Sequence, residues 1–208
     1  MALTTLENRI DAIRERAKPI KDTLDTALDK VRNDGRLTPQ AKRQEIAQHY
    51  LAAKQKLEVL LSEERTTTAK KRDEVERNLF GQRDIGPAGV VAYRDAQDRA
   101  LRLGPDDEDH ALALLISARI SRDDTLATAV LSRALHFEWV GVIGTYTDNY
   151  PHQREPLEDL TNIDRWTKQQ EENGFDGYGA IYSVTPPREI GGNLNDAGIQ
   201  KIATGELA

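Results

Sequence analysis

An all-α fold is the expectation, and three observations carry it. The first 31 residues place Leu3, Leu6, Ile10, Ile13, Ala17, Ile20, Leu24, Ala27 and Val31 at alternating steps of three and four, a heptad seam that needs a partner stripe. Farther on, Pro87 and Pro105 stand where helices would start, and the runs after them repeat apolar residues at helical spacing. The apolar content of 38% is low beside 31% charged residues, which suits long solvated helix faces around a thin core. The expected architecture is a long antiparallel, coiled-coil-like helical hairpin over 1–80, an acidic helical bundle or solenoid-like body over 81–172, and an extended Gly/Pro-rich tail over 173–208.

In the first segment, Pro19 removes one backbone donor and crowds the preceding turn, so a kink or break is expected near Lys18. "NDGRLTPQ" then supplies Gly35 as a stop, Thr38 as an N-cap and Pro39 at the first helical position. The partner seam follows as Ile46, Tyr50, Ala53, Leu57, Leu60 and Leu61, giving two helices joined by a short turn. The second helix is expected to reach about Leu79, roughly 60 Å at 1.5 Å per residue. Its distal part, "SEERTTTAKKRDEVERN", puts Glu64, Thr67 and Lys71 at seam positions. Two readings stay open there: a solvated helix held by pairs such as Asp73 with Arg77, or a spacer that hands the hairpin outward.

The second segment reads as helices over about 87–103, 106–121, 124–139 and 155–172, with a shorter one near 139–147. Ala92, Ala96, Ala100, Ala111 and Ala118 allow close helix approach. No strict repeat period survives. The acids of "PDDEDH" and "SRDD" sit where they would complement a helix N-terminus, a better account of them than a metal site.

The tail carries six glycines between Gly174 and Gly198 and the pair Pro186-Pro187. Glycine costs roughly 1 kcal/mol and proline roughly 3 kcal/mol relative to alanine in a helix interior, so extended or turning backbone is expected. Phe175, Tyr178, Ile181, Tyr182, Val184 and Ile190 make it a surface for a partner, and Tyr178 to Val184 could add a strand to a neighbour's sheet edge. On this reading, removing 173–208 leaves the helical body intact and abolishes partner binding.

The chain has no cysteine, so no disulfide or thiolate metal site is open to it. His49, His110, His136 and His152 stand singly, without paired ligand spacing, and no phosphate loop or nucleophile elbow is present. No enzyme, cofactor or metal function is expected. The first 80 residues carry a slight excess of Lys and Arg, while the remainder is strongly acidic, which argues against sequence-specific nucleic-acid binding. No apolar run approaches the roughly 20 residues that cross a bilayer, and the start "MALTTLENRIDAIRER" lacks a secretory stretch, so a soluble product made in the cytoplasm is expected.

The junction "NLFGQRDIGPAGVVAYRDAQDRALRL", Asn78 to Leu103, followed by "DHALALLISARISRDDTLATAVLSRAL", resembles short helical proteins encoded among the virion assembly genes of tailed phages and prophages of actinobacteria. The resemblance covers about residues 75–150 and rests on an LFG turn and an AYRDAxDRA helix. It brings no catalytic residues. It implies a structural role in the phage head or head-tail connection, with major capsid, portal or connector subunits as partners and self-association. Two alternatives are a transient capsid scaffold and a cellular helical-repeat adaptor whose groove, lined by exposed aromatics between residues 90 and 150, captures a peptide.

Overall fold

The computed structural model describes residues 2–81, 86–172, 178–191 and 194–207. The fold is all-helical, with no strand among the described residues. The elements are α1 (Ala2–Glu15), α2 (Ala17–Asn33), α3 (Pro39–Phe80), α4 (Pro87–Leu101), α5 (Glu108–Ser121), α6 (Asp124–His136), α7 (Val140–Asn149), α8 (Arg154–Glu172) and α9 (Asp196–Thr204), with 3-10 turns at Pro151–Gln153 and Tyr178–Tyr182. They form two compact units, one of residues 1–71 with 165–208 and one of residues 72–164. These do not coincide with the expected segments 1–80, 81–172 and 173–208: the C-terminal segment belongs to the same unit as the first helices.

In the first unit the breaks follow the local chemistry. Pro19, third in α2, has no N–H to offer the end of α1, and the Arg16 N–H reaches only Ile13 O at 3.2 Å. After α2, the Asp34 carboxylate accepts from the Arg36 N–H at 2.9 Å and pairs with its guanidinium at 2.7 Å, bonds that hold this carboxyl well below its ordinary range. Pro39 then opens α3, and Thr38 Oγ1 accepts from the Ala41 N–H at 3.2 Å. Leu24, Leu28 and Val31 of α2 share a core with Ile46, Ala47, Tyr50 and Ala53 of α3. Ile13 and Ala17 share a second with Leu57 and Leu60.

Both cores are completed by the C-terminal segment, which corrects the tail expected from sequence. Ile190, Ile199, Ile202 and Ala203 belong to the first cluster and Tyr182 to the second. Residues 178–182 form a 3-10 turn, not an added strand, and 196–204 form α9 despite Gly198. The helix is possible because its ends are capped: Asn195 accepts from the Gly198 N–H at 2.9 Å, and Gly205 closes it with a φ of 80°. The isoleucines three residues apart then fall on one face.

The distal part of α3 is neither frayed nor unpacked. Glu64 is 1% exposed and Thr68, Val75 and Leu79 are buried too, so the seam continues at helical spacing through polar residues. In the second unit, Arg72 of this helix pairs with Glu76 at 2.7 Å and with Asp164 at 2.6 Å.

The second unit is organised around α6. Its buried residues Leu126, Ala127, Ala129, Val130, Leu131 and Ala134 occupy successive faces, and α4, α5 and α7 pack against it. A helix apolar on most sides must be central, and its alanines admit neighbours closely. Asp123 caps it, accepting from the Leu126 N–H at 2.9 Å. The loop after α4 is held by Arg133 Nε on Leu103 O and Trp139 Nε1 on Pro105 O, each at 2.9 Å. Helix α5 starts at Glu108, and just before it the Gly104 N–H donates to the Asp107 carboxylate at 2.7 Å.

Candidate interaction surfaces

Helices α1 and α3 meet the C-terminal segment at one buried charge. Glu64 sits at a seam position, and its carboxylate accepts from Arg14 Nε at 3.1 Å and Nη2 at 2.7 Å in a bidentate pair. The Tyr182 hydroxyl donates to the same carboxylate. Burial, and then this hydrogen bond, push the Tyr182 phenol well above its ordinary value, so it remains a donor across the working pH range. Arg14 stacks on Trp166, its guanidinium carbon 5.5 Å from the ring centroid. The site is closed around Glu64, so its work is to hold three chain segments in register.

The rest of the segment is fastened by side chains of α2 and α3. Lys21 donates to Ala180 O at 3.0 Å, Gln48 to Ala203 O at 2.8 Å, and Lys54 pairs with Asp196. Arg32 and Glu189 form a bidentate pair at 2.7 and 3.1 Å, which lowers the Glu189 carboxyl below its ordinary 4.5. A depressed carboxyl stabilises the fold above its unfolded pKa, and the contribution is lost as pH falls through the folded value. Glu189→Gln should therefore destabilise the first unit at pH 7. The difference from wild type should shrink to nothing in urea titrations repeated at progressively lower pH below 4.5. A difference independent of pH would show that the pair contributes no charge-dependent stability.

No protein family, curated protein or solved structure matches this chain. What it can bind is therefore read from its own surfaces.

Among the residues singled out from sequence, Leu6, Ile10, Ile13, Leu24, Val31, Ile46, Tyr50, Leu57 and Leu60 are buried, and Ile20 is half-buried between the two cores of the first unit. The side chain of Leu3 lies outside the described residues, as do Phe175 and the side chain of Tyr178. Of the expected partner contacts in the tail, Tyr182 and Ile190 are buried in the chain's own cores, and Ile181 and Val184 pack against them. Tyr182 and Ile190 are thereby taken up within the chain. Sequence reasoning missed Arg14, Glu64 and Trp166 as a cluster, and Ile199, Ile202 and Ala203 as core.

Among the described residues, open surface is found on both units. A groove between α2 and α3 has a volume of ≈ 570 Å³ in its wider part and ≈ 220 Å³ in a continuation, and Thr23, Ala27 and His49 line both. On the second unit, Val91, Leu101, Ile116, Ile120 and Val140 are exposed large apolar side chains, Ile120 at 75% and Val140 at 80%. Ile116 and Ile120, four residues apart, make a stripe on α5. No group of three His, Asp or Glu among the described residues could hold a metal ion, and no described helix is long and apolar enough to cross a membrane.

Proposed function

We propose that this chain is a non-enzymatic structural protein of a tailed-phage particle, an accessory or connector component of the head and portal region that binds neighbouring capsid, portal or connector subunits. The observation that carries this reading is the set of exposed apolar side chains on the second unit, Val91, Leu101, Ile116, Ile120 and Val140. Ile116 and Ile120 form an exposed apolar stripe on α5 of a highly charged chain, and such a stripe supports a contact surface. It falls within residues 75–150, which carry the resemblance to virion assembly proteins. Helices α2 and α3 serve as an antiparallel hairpin, stiffened by the C-terminal segment, that extends the number of contacts each subunit makes, and several weak contacts raise overall affinity through effective concentration.

The peptide-capturing adaptor needs exposed aromatics between residues 90 and 150, whereas Trp139 and Tyr146 are buried there and Tyr93, Phe137 and Tyr150 are half-buried. The transient scaffold differs from the connector only in leaving the particle. Gradient sedimentation of a native lysate, with this chain followed by mass spectrometry, separates the readings. Co-migration with DNA-filled particles is the expected result, and Ile116→Asp/Ile120→Asp should reduce it while leaving the helical signal unchanged. Presence only in empty precursor particles would make the protein a scaffold, and migration as a small free species would overturn the particle assignment.

A further inference from the structure

The second unit holds a small cavity between the C-terminal halves of α4 and α6, with a volume of ≈ 180 Å³. Gln97, Ser132, Arg133 and His136 supply its polar lining, and Leu101 with alanines from both helices its apolar lining. None of the lining residues is an acid, although acids far outnumber bases in this unit. Arg133 is fixed there from two sides. Its Nε donates to Leu103 O at 2.9 Å, and its guanidinium carbon lies 4.3 Å from the centroid of the Phe137 ring. Those contacts leave the two terminal nitrogens over, and no hydrogen bond among the described residues engages them or the side chains of Gln97, Ser132 and His136.

With Nε engaged, the free edge of the guanidinium presents Nη1 and Nη2, a spacing that matches the two oxygens of a carboxylate. The volume sets the size of the occupant. It is below the roughly 300 Å³ of a cofactor- or drug-sized site, so a carboxylate with few carbons behind it is what fits. Both helices turn their C-terminal ends this way, and that end of a helix dipole opposes an anion. The opposition is blunted, because Ala100 O, Arg133 O and Ala134 O already accept from the N–H groups of Leu103, Phe137 and Trp139 at 3.1, 3.2 and 2.9 Å. A helix end acts as about half a charge and fades within a turn, whereas a fixed guanidinium brings a full charge and two directed bonds.

We propose that this cavity is a carboxylate-binding site, in which Arg133 donates to both oxygens, Gln97 of α4 and Ser132 of α6 orient them, and Leu101, the most exposed apolar member of the lining, covers the carbons behind the head group. The same head group can arrive as a free small acid or as an Asp or Glu side chain of a neighbouring protein. The site does not rest on the particle assignment, because only the cavity's own groups define it.

The test is nuclear magnetic resonance of the full chain, following the Arg133 Nε–H, which its bond to Leu103 O holds in place, and the Gln97 side-chain amide. Replacing chloride by acetate at constant ionic strength should shift both saturably, with a Kd of about millimolar order. A capped glutamyl-leucine dipeptide should do the same, and its glutamine counterpart should not. Tighter binding of the dipeptide than of acetate assigns the site to a partner's side chain, and binding no tighter assigns it to a free acid. Gln97→Glu, an isosteric change, supplies a carboxylate from the α4 wall of the cavity. It should raise the thermal midpoint of the second unit and abolish the acetate response, although an acid near a helix C-terminus ordinarily lowers stability. Shifts that chloride reproduces, or that do not saturate, would overturn the proposal. So would a Gln97→Glu variant that melts lower than wild type or still responds to acetate.

Discussion

Arg14→Met should lower the stability of the first unit by about 3–5 kcal/mol, toward the lower end because the Arg14 side chain keeps 16% of its surface exposed. The cause is what the substitution leaves behind. Glu64, with 2% of its side chain exposed, loses a bidentate partner in a place where water cannot replace the two bonds. The stack of Arg14 on Trp166 is lost as well. The matched variant Arg14→Met/Glu64→Leu/Tyr182→Phe removes the acid together with these two donors and should recover most of the loss, since a buried ion pair replaced as a whole by apolar groups is often neutral or better. Urea unfolding followed by Trp166 fluorescence in a Trp139→Phe background reads the first unit alone. A single variant within about 1 kcal/mol of wild type would show that Glu64 finds other compensation and that the cluster does not hold the segments together.

The part of this cluster that could be read from sequence was only its position. The period of three and four that marks Ile46, Leu57 and Leu60 as core depends on neighbours along one helix, and it runs straight through Glu64. A charge in a seam reads as an interruption because burying it alone is so costly. The compensating groups lie 50 and 118 residues away, at Arg14 and Tyr182, where no local pattern connects them. The C-terminal segment failed for a different reason. Its glycine and proline content, averaged over the segment, hides a short helix with every local signal in place: Asn195 at the N-cap, Ile199, Ile202 and Ala203 on one face, and Gly205 at the close. Ile181, Tyr182, Val184 and Ile190 of that segment do lie against a surface. What composition could not say was that the surface is the chain's own, because the exposed flank of α2 and α3 that receives them becomes apparent only once both helices are paired.

Cutting the chain after Glu172 should abolish cooperative unfolding of the first unit, while the transition of the second unit, read by Trp139, persists. Ile190, Ile199 and Ile202 are each no more than 1% exposed, and they cover Leu24, Leu28, Ile46 and Tyr50. At about 1.5–3 kcal/mol for each fully buried large apolar side chain, the three isoleucines contribute roughly 5–9 kcal/mol, comparable with the whole stability of an ordinary domain. The cut also takes the Tyr182 hydroxyl from Glu64, which keeps Arg14, and removes Glu189 from Arg32 and Asp196 from Lys54. Ile190→Ala, a milder change at a site with no exposure, should cost about 2–5 kcal/mol and leave the transition cooperative. If the segment instead served only a neighbouring subunit, the truncated chain would keep the Trp166 transition of the full-length protein, and Ile190→Ala would be silent. Adding a peptide of residues 178–207 to the truncated chain distinguishes lost packing from general damage: restored cooperative unfolding places the stabilising surface in that segment, acting within this unit.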